Sequence, residues 1–243
     1  MKSSRKSTTT EPGGPAATSQ DQPALTPVAA LSPLWDLPVR LTHWLLAALV
    51  TAAWWTASHR NLDVHRPIGL AIFCLLIFRL IWGFAGSPTA RFATFLTGPA
   101  TVFAYARGRL GRAVVGHSPL GGWSVAAMLA ALVTQVSLGL FAINEDADQG
   151  GPLSDRLDFD AARAAAHLHH RVFWLAAGLI ALHLAAIAVY AYRGRNLVGP
   201  MITGRARLEP GARAPAYAPL WRAAAALAVA LILTLLVARN FRL

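Results

Sequence analysis

Residues 168–183 have the sequence LHHRVFWLAAGLIALH, an apolar stretch with a histidine near each end. Because His169 and His183 are fourteen residues apart, a helix would point both side chains in nearly the same direction, about 21 Å apart along its axis. Ionisable side chains are costly in lipid and are usually functional there. The stretch therefore predicts a membrane helix that offers two imidazoles on one face, one near each membrane surface.

The composition of the whole chain indicates a membrane protein. Of its 243 residues, 55% are hydrophobic and 14% are charged, whereas soluble domains contain about 25% charged residues. The net charge of +11 does not indicate nucleic-acid binding, because the basic residues lie between apolar runs. The single cysteine, Cys74, excludes a disulfide or a cysteine-based metal cluster within one chain.

Five segments are apolar enough to cross a bilayer as helices, which takes about 20 residues each. They are residues 39–57, 68–85, 124–142, 171–192 and 220–238. We therefore predict an all-α membrane protein with a bundle of four transmembrane helices and a fifth, C-terminal transmembrane helix. Residues 1–33, rich in Ser, Thr, Pro and Ala, are predicted to be a disordered cytoplasmic tail.

The loops between these spans alternate in charge, which predicts the orientation of the chain. The tail and the loops after the second and fourth spans are basic, with Lys2, Arg5 and Lys6, then Arg91, Arg107, Arg109 and Arg112, then Arg193, Arg195, Arg205, Arg207 and Arg213. The loop after the third span is acidic, with Glu145, Asp146, Asp148, Asp155, Asp158 and Asp160. Short cationic loops remain in the cytoplasm. We expect a cytoplasmic N-terminus and a periplasmic C-terminus in a bacterial inner membrane.

Four histidines lie at depths that pair them across the bundle. His65 begins the second predicted span on the outer side, at the depth of His169, and His43 lies about one turn into the first span, at the depth of His183. Each pair would supply both axial ligands of one haem iron, an arrangement suited to electron transfer. Facing helices of a bundle commonly hold such cofactors. The pattern predicts two stacked sites for haem b.

Other interpretations of these histidines stay open. A histidine in a membrane helix often serves only packing and hydrogen bonding, or it relays protons in a transporter because it titrates near neutral pH. His170 flanks a candidate ligand, and His117 lies in a loop. Arg79, fourteen residues after His65, is expected either to bind a haem propionate at the inner site or to extend towards the inner headgroups.

Several short motifs resemble the bacterial cytochrome b561 family, which includes the cytochrome b subunits of nickel–iron hydrogenases. Formate dehydrogenase gamma subunits share its four-helix core. The matching stretches span residues 34–204 and are 35–44 (WDLPVRLTHW), 78–83 (FRLIWG), 90–92 (ARF), 116–122 (GHSPLGG), 196–198 (NLV) and 201–204 (MITG), together with His65, Gly69, Leu168-His169 and Leu182-His183. His170 departs from the pattern, because a glutamate often follows the first ligand of the fourth helix.

The resemblance implies a four-transmembrane-helix haem-binding bundle, and the tail and the fifth, C-terminal transmembrane helix lie outside this shared core. We therefore divide the chain into a predicted tail (1–33), a di-haem cytochrome b domain (34–204) and a linker with the last helix (205–243). The implied iron ligands of two non-covalent haem b groups are His43, His65, His169 and His183, and Arg79 is the candidate propionate partner.

The leading functional hypothesis is electron transfer between quinone in the membrane and a periplasmic c-type cytochrome or a dehydrogenase or hydrogenase subunit. Such a protein would interact with membrane lipid and not with nucleic acid. One alternative is a self-contained membrane oxidoreductase that oxidises a small reductant or superoxide with quinone. Another is a transporter that uses a histidine relay, although no proline interrupts a predicted span.

Overall fold

The computed structural model of the chain describes residues 31–109, 116–144, 146, 149–208 and 215–242. In chain order its elements are β1 (Leu31–Pro33), α1 (Leu37–Ser58), α2 (Leu62–Ala85), α3 (Phe92–Phe95), α4 (Pro99–Ala106), α5 (Pro119–Phe141), α6 (Phe159–Tyr192), α7 (Val198–Thr203), β2 (Arg205–Arg207) and α8 (Leu220–Ala238). Within this described part, α1, α2, α5, α6 and α8 are long and apolar enough to cross a membrane. The predicted all-α membrane fold with five transmembrane helices is therefore confirmed.

The fourth long helix begins earlier than the hydropathy pattern predicts. α6 starts at Phe159, twelve residues before the predicted start at 171. The carboxylate of Asp158 caps this helix by accepting a hydrogen bond of 2.8 Å from the backbone N–H of Ala161, and the alanines that follow have high helix propensity. His169 therefore lies about ten residues inside the helix and does not begin it.

The second long helix also begins earlier than predicted. Asn61 caps α2 through the N–H of Val64, so the helix includes residues 62–67 ahead of the predicted span. As a consequence Pro67 lies inside the helix, which corrects the expectation that no proline interrupts a transmembrane helix. Because Pro67 lies near the start of α2, its missing N–H removes only one backbone hydrogen bond, to a carbonyl in the first turn of the helix.

The long helices form two hairpins and one added helix. α1 packs along α2, α5 packs along α6, and α8 packs against α2. The contact between α2 and α8 combines Cys74, Phe78 and Trp82 with Ala226 and Ala230. Small side chains of this kind let membrane helices approach closely. A cavity lies between the two hairpins and is lined by residues of α1, α2, α5 and α6.

The two ends of the bundle differ in their charged residues and are called the basic end and the acidic end. The basic end holds the start of α1 and the ends of α2 and α6, with Arg40, Arg91 and Arg195. The acidic end holds the α1–α2 turn and the α5–α6 connection, with the exposed Asp155 and Asp158. Among the charges that predicted the orientation, Lys2, Arg5, Lys6, Arg112, Glu145, Asp148 and Arg213 lie outside the described residues.

A short sheet connects the chain before α1 with the chain after α7. β1 pairs antiparallel with β2, so that Leu31 lies opposite Arg207. Residues 1–30 of the predicted tail lie outside the described residues, but residues 31–33 form β1. The predicted tail (1–33) therefore includes strand β1 at its end.

Candidate functional site

The structure brings the four predicted histidines together in two pairs. At the basic end, the ring centroids of His43 and His183 are 6.5 Å apart, with 57° between the ring planes. At the acidic end, the centroids of His65 and His169 are 6.3 Å apart, with 89° between the planes. These are the pairs expected from membrane depth, each made by one residue from the α1–α2 hairpin and one from α6.

The spacing of both pairs fits a shared axial metal. Two imidazoles that bind one metal ion from opposite sides have ring centres about 6 Å apart, because each metal–nitrogen bond is about 2.0 Å and each ring adds about 1 Å. Both observed distances match this requirement. The described residues contain no group of three or more His, Cys, Asp or Glu arranged to hold a metal ion. Pairs of imidazoles are instead the donor set that six-coordinate haem iron takes.

At the acidic end, hydrogen bonds orient both imidazoles. Nδ1–H of His65 donates to the backbone carbonyl of Ala53 at 3.0 Å, and Nδ1–H of His169 donates to the backbone carbonyl of Gln135 at 2.7 Å. Such a bond fixes the tautomer and leaves Nε2 with its lone pair for a metal. In the structure this lone pair of His169 accepts from the side-chain N–H of Gln135 at 3.1 Å, so Gln135 would have to release Nε2 before it could bind a metal.

Gly139 makes room for the His169 ring against α5. A Cβ atom added at Gly139 would lie 2.9 Å from Cε1 and 3.1 Å from Nδ1 of His169. Ordinary carbon–carbon contacts are about 3.5–4.0 Å, so a side chain here would displace the imidazole. By contrast, a Cβ atom at Gly178 would meet no described atom within 4 Å. A side chain at Gly139 would therefore require the His169 ring to shift, whereas one at Gly178 meets no such contact.

The acidic-end pair borders the cavity between the hairpins. The cavity has a volume of about 820 Å³ and is lined mainly by apolar side chains, with His65, His169 and Gly69 among them. Buried ligand sites typically have volumes of about 300–1,000 Å³ and a few convergent polar groups. The cavity also reaches Arg66 and His170, which are exposed. It thus extends from the histidine pair to the protein surface.

The basic-end pair has a different environment. Nδ1 of His43 is buried without a hydrogen-bond partner among the described residues, and the ring lies 5.0 Å from that of Trp44 in an edge-on arrangement. The ring of His183 likewise has no hydrogen bond within the part of the chain that the structure describes. Geometry at this end depends on packing rather than on hydrogen bonds to the imidazoles.

Arg79 is a buried cation with unused hydrogen-bonding capacity. Its side chain is only 7% exposed, one N–H donates to the carbonyl of Ala90 at a long 3.4 Å, and the guanidinium lies 5.4 Å from the ring centre of Phe92. No carboxylate of the described residues forms an ion pair with it. The buried carboxylate of Asp36 acts on it electrostatically without forming an ion pair, and its remaining N–H groups suit an anionic ligand such as a carboxylate.

His117 is held between two aromatic rings near the basic-end pair. Its ring centroid is 4.7 Å from that of Trp35 and 4.8 Å from that of Phe95, and its buried Nδ1 has no partner among the described residues. Burial, followed by the charges of Arg79 and His183, lowers the pKa of His117 to about 4. The His117 imidazole is therefore neutral near pH 7. The sequence alone did not assign a role to His117.

The WDLPVR motif is structural. The Asp36 carboxylate caps α1 through the N–H of Val39 at 2.8 Å and accepts a bond of 3.0 Å from Nε1–H of Trp82. The guanidinium of Arg40 donates to the carbonyl of Ile202, close to Gly204, whose φ of +79° favours glycine. These contacts join the start of α1 to the segment after α6.

Sequence reasoning missed Gln135 and the carbonyl of Ala53. Gln135 had a signal, because an amide side chain inside an apolar span is uncommon without a partner. Its Oε1 is buried and has no hydrogen-bond partner among the described residues. A backbone carbonyl has no sequence signal, since only the packing of α1 on α2 brings Ala53 to His65.

The chain has five helices that are apolar enough to cross a membrane and two pairs of facing imidazoles. These features are typical of multi-pass membrane proteins that bind cofactors between their helices. A family model described as prokaryotic cytochrome b561 matches residues 34–204, and the chain belongs to this family. The suspected resemblance is thereby confirmed, and the chain is a haem-binding membrane protein of electron transfer. No curated protein and no solved structure matches it.

Proposed function

We propose that this chain is a di-haem b-type cytochrome that carries electrons across the bacterial inner membrane between the quinone pool and a periplasmic redox partner. The observation that carries the proposal is the presence of two imidazole pairs with centroid distances of 6.3 and 6.5 Å. Each distance suits axial ligation of one metal from two sides. Family membership supports haem b as the cofactor.

The chain's own residues would have distinct tasks. His65 and His169 hold one haem at the acidic end, and His43 and His183 hold the other at the basic end. A haem iron with two axial imidazoles exchanges electrons without an open position for oxygen. The fourteen-residue spacing of His169 and His183 along α6 separates the two sites by about 21 Å along the axis. The pathway across the membrane is thereby divided into shorter steps.

Arg79 is proposed to bind a haem propionate at the basic end. Its guanidinium is buried and retains unused donors, and it forms no ion pair with a carboxylate of the described residues, although the buried Asp36 carboxylate acts on it electrostatically. A propionate would satisfy these donors and neutralise the buried charge. Arg79 is fourteen residues after His65 on the same helix, α2, about 21 Å further along the axis towards the basic end, which supports a role at the basic-end site.

The orientation follows from the loop charges. The basic end, with Arg91 and Arg195, is proposed to face the cytoplasm, and the quinone is proposed to react near this end. The acidic end then faces the periplasm with Asp158 and Asp160 exposed. Exposed carboxylates steer a basic partner by long-range attraction. A c-type cytochrome or a dehydrogenase or hydrogenase subunit has the required redox role.

A second candidate is a self-contained oxidoreductase. The cavity beside His65 and His169 extends to the exposed Arg66 and His170, so a small reductant has a route to the acidic-end site. Such a protein would reduce quinone with electrons from that reductant, and superoxide is one candidate. Rapid reduction of the purified cytochrome by a small reductant, without a protein partner, would favour this function.

The test is the haem content and the optical spectrum of the purified protein. We expect about two haem b per chain in a pyridine haemochrome assay and a reduced-minus-oxidised spectrum of b type. His183→Ala and His65→Ala should each retain one haem, at opposite ends. A folded protein that contains no haem after expression with ample haem supply would contradict the proposal and favour a histidine relay or a packing role.

A further inference from the structure

The connection between α5 and α6 is attached to the end of α8 by a group of polar contacts. The side-chain amide of Asn240, just after α8, donates to both carboxylate oxygens of Asp155 at 2.6 Å. Arg156 donates to the side-chain oxygen of Asn240 at 2.7 Å and to its backbone carbonyl at 2.9 Å. Arg242 adds a longer contact of 3.8 Å to Asp155. Two neighbouring residues of the connection are therefore both bound to Asn240, and these three residues are called the clamp.

The backbone after α8 has an unusual conformation that these contacts explain. Asn240 and Phe241 have φ values of +53° and +56°, in the left-handed region that a residue with a bulky side chain rarely adopts. Such a conformation costs free energy and persists where surrounding contacts hold it. Here the hydrogen bonds fix Asn240, and the guanidinium of Arg156 lies 5.9 Å from the ring centre of Phe241. The turn therefore indicates a specific attachment of α8 to the connection.

Apolar packing continues this attachment towards the interior of the bundle. Leu153 of the connection, Leu140 of α5 and Val237 of α8 form one buried cluster. The part of the connection ahead of Leu153, residues 142–144 and 149–152, lines the cavity beside the acidic-end histidine pair. The end of α8 thus holds the segment that forms one wall of this cavity.

The connection also lies against the turn of α5 that contacts His169. A Cβ atom added at Gly151 would lie 2.3 Å from the carbonyl oxygens of Gly139 and Leu140, so the two backbones meet with no space for a side chain. The N–H of Leu153 donates to the Leu140 carbonyl at 2.9 Å. Gly139 in turn packs against the His169 ring. A continuous series of contacts therefore runs from the clamp to the acidic-end imidazole.

We propose that the end of α8 is a strap that holds the α5–α6 connection over the cavity, and that it thereby positions His169 and limits access to the acidic-end pair. Asn240 is the positioning residue of this strap, because every hydrogen bond of the clamp involves it. α8 lies outside residues 34–204, which the family model matches. The effect of the strap on haem rests on the di-haem function proposed above, whereas its effect on the connection does not.

Hydrogen–deuterium exchange of the purified full-length protein tests whether the strap holds the connection. Asn240→Ala removes the side-chain hydrogen bonds of the clamp. We expect residues 149–158 to exchange about tenfold faster, because local opening then costs less free energy, while the α1–α2 turn at the same end keeps its rate. Arg239→Ala is the matched control, because this exposed side chain makes no hydrogen bond among the described residues. Unchanged exchange of residues 149–158 in Asn240→Ala would overturn the inference.

An exchange of the two polar side chains separates the clamp from a general effect of substitution. Asn240→Asp alone places two carboxylates together and should speed the exchange of residues 149–158. Asp155→Asn combined with Asn240→Asp restores an amide opposite a carboxylate and gives Arg156 a charged acceptor, so the slow exchange should return. Equally fast exchange in the single and double variants would contradict a strap that acts through this contact.

Haem retention tests whether the connection controls the acidic-end site. His43→Ala should retain only the acidic-end haem, and addition of Asn240→Ala should speed transfer of that haem to an excess of a haem-binding apoprotein. The expected factor is again about ten, because release passes through the same opening. In His65→Ala, which should retain only the basic-end haem, Asn240→Ala should change nothing.

The outcomes separate the strap from the proposed function. Equal transfer rates with and without Asn240→Ala in the His43→Ala protein would overturn control of the site by α8 and leave the di-haem function intact. Absence of haem from the unaltered protein would instead refute the proposed function, and the exchange of residues 149–158 would then decide alone whether α8 holds the connection.

Discussion

Replacement of Gly139 by alanine tests how α5 positions the acidic-end imidazole. The new Cβ would lie 2.9 Å from Cε1 of His169, at least about 0.6 Å closer than an ordinary carbon–carbon contact. Because α5 is a continuous helix, the imidazole is the group that must move. A retreat of this size would lengthen the bond of 2.7 Å from Nδ1 to the Gln135 carbonyl beyond the usual range of about 2.7–3.2 Å.

The expected loss is moderate and confined to one site. A neutral hydrogen bond contributes about 0.5–1.5 kcal/mol, and loss of a partner that orients a metal-bound histidine typically weakens metal binding about 10–100-fold. We therefore expect Gly139→Ala to release its acidic-end haem about tenfold more readily, with the basic-end haem unaffected. Any acidic-end haem that remains should have a raised midpoint potential, because its imidazole has lost the carbonyl bond.

The assay is transfer of haem to an excess of a haem-binding apoprotein, followed by optical spectroscopy. Gly178→Ala is the matched control, because it adds the same methyl group to α6 where no described atom lies within 4 Å. Equal haem retention in Gly139→Ala and the unaltered protein would refute the reasoning. So would equal losses in Gly139→Ala and Gly178→Ala, because that result would reflect general destabilisation.

Three further predictions concern stability, each measured by thermal unfolding in detergent. Asp36→Ala removes the cap of α1 and leaves Nε1–H of the fully buried Trp82 unpaired, so it should destabilise the fold by about 2–4 kcal/mol; an unchanged melting temperature would contradict this role. Ala230→Leu overfills the fully buried contact between α8 and α2 and should cost about 1–3 kcal/mol, whereas Leu231→Ala on the exposed side should cost much less. The pKa of His117 is lowered to about 4 in the folded protein, so on acidification the imidazole takes up a proton in the unfolded chain at a higher pH than in the folded protein. The free energy of unfolding should therefore fall as pH decreases from about 6.5 to about 4. His117→Leu should reduce this pH dependence.

The features that could be predicted from the sequence are those set by local spacing. Apolar windows of about 20 residues predict the five helices, and the distance of His169 from His183 predicts two sites along one helix. Pairing with His65 and His43 needs only helix direction and depth. These predictions do not depend on which neighbouring helix approaches which face.

Most features that escaped prediction depend on contacts between helices, and the early start of α6 is a local exception. Hydropathy places the start of the fourth span at residue 171, but the helix extends to Phe159 because Asp158 caps it. The carbonyl of Gln135 orients His169 only because α5 packs against α6 at Gly139. The spacing of residues along the chain does not reveal that the Gln135 carbonyl and Gly139 of α5 contact His169. A glycine in a membrane helix is more often a packing residue, and only the structure separates Gly139 from Gly178.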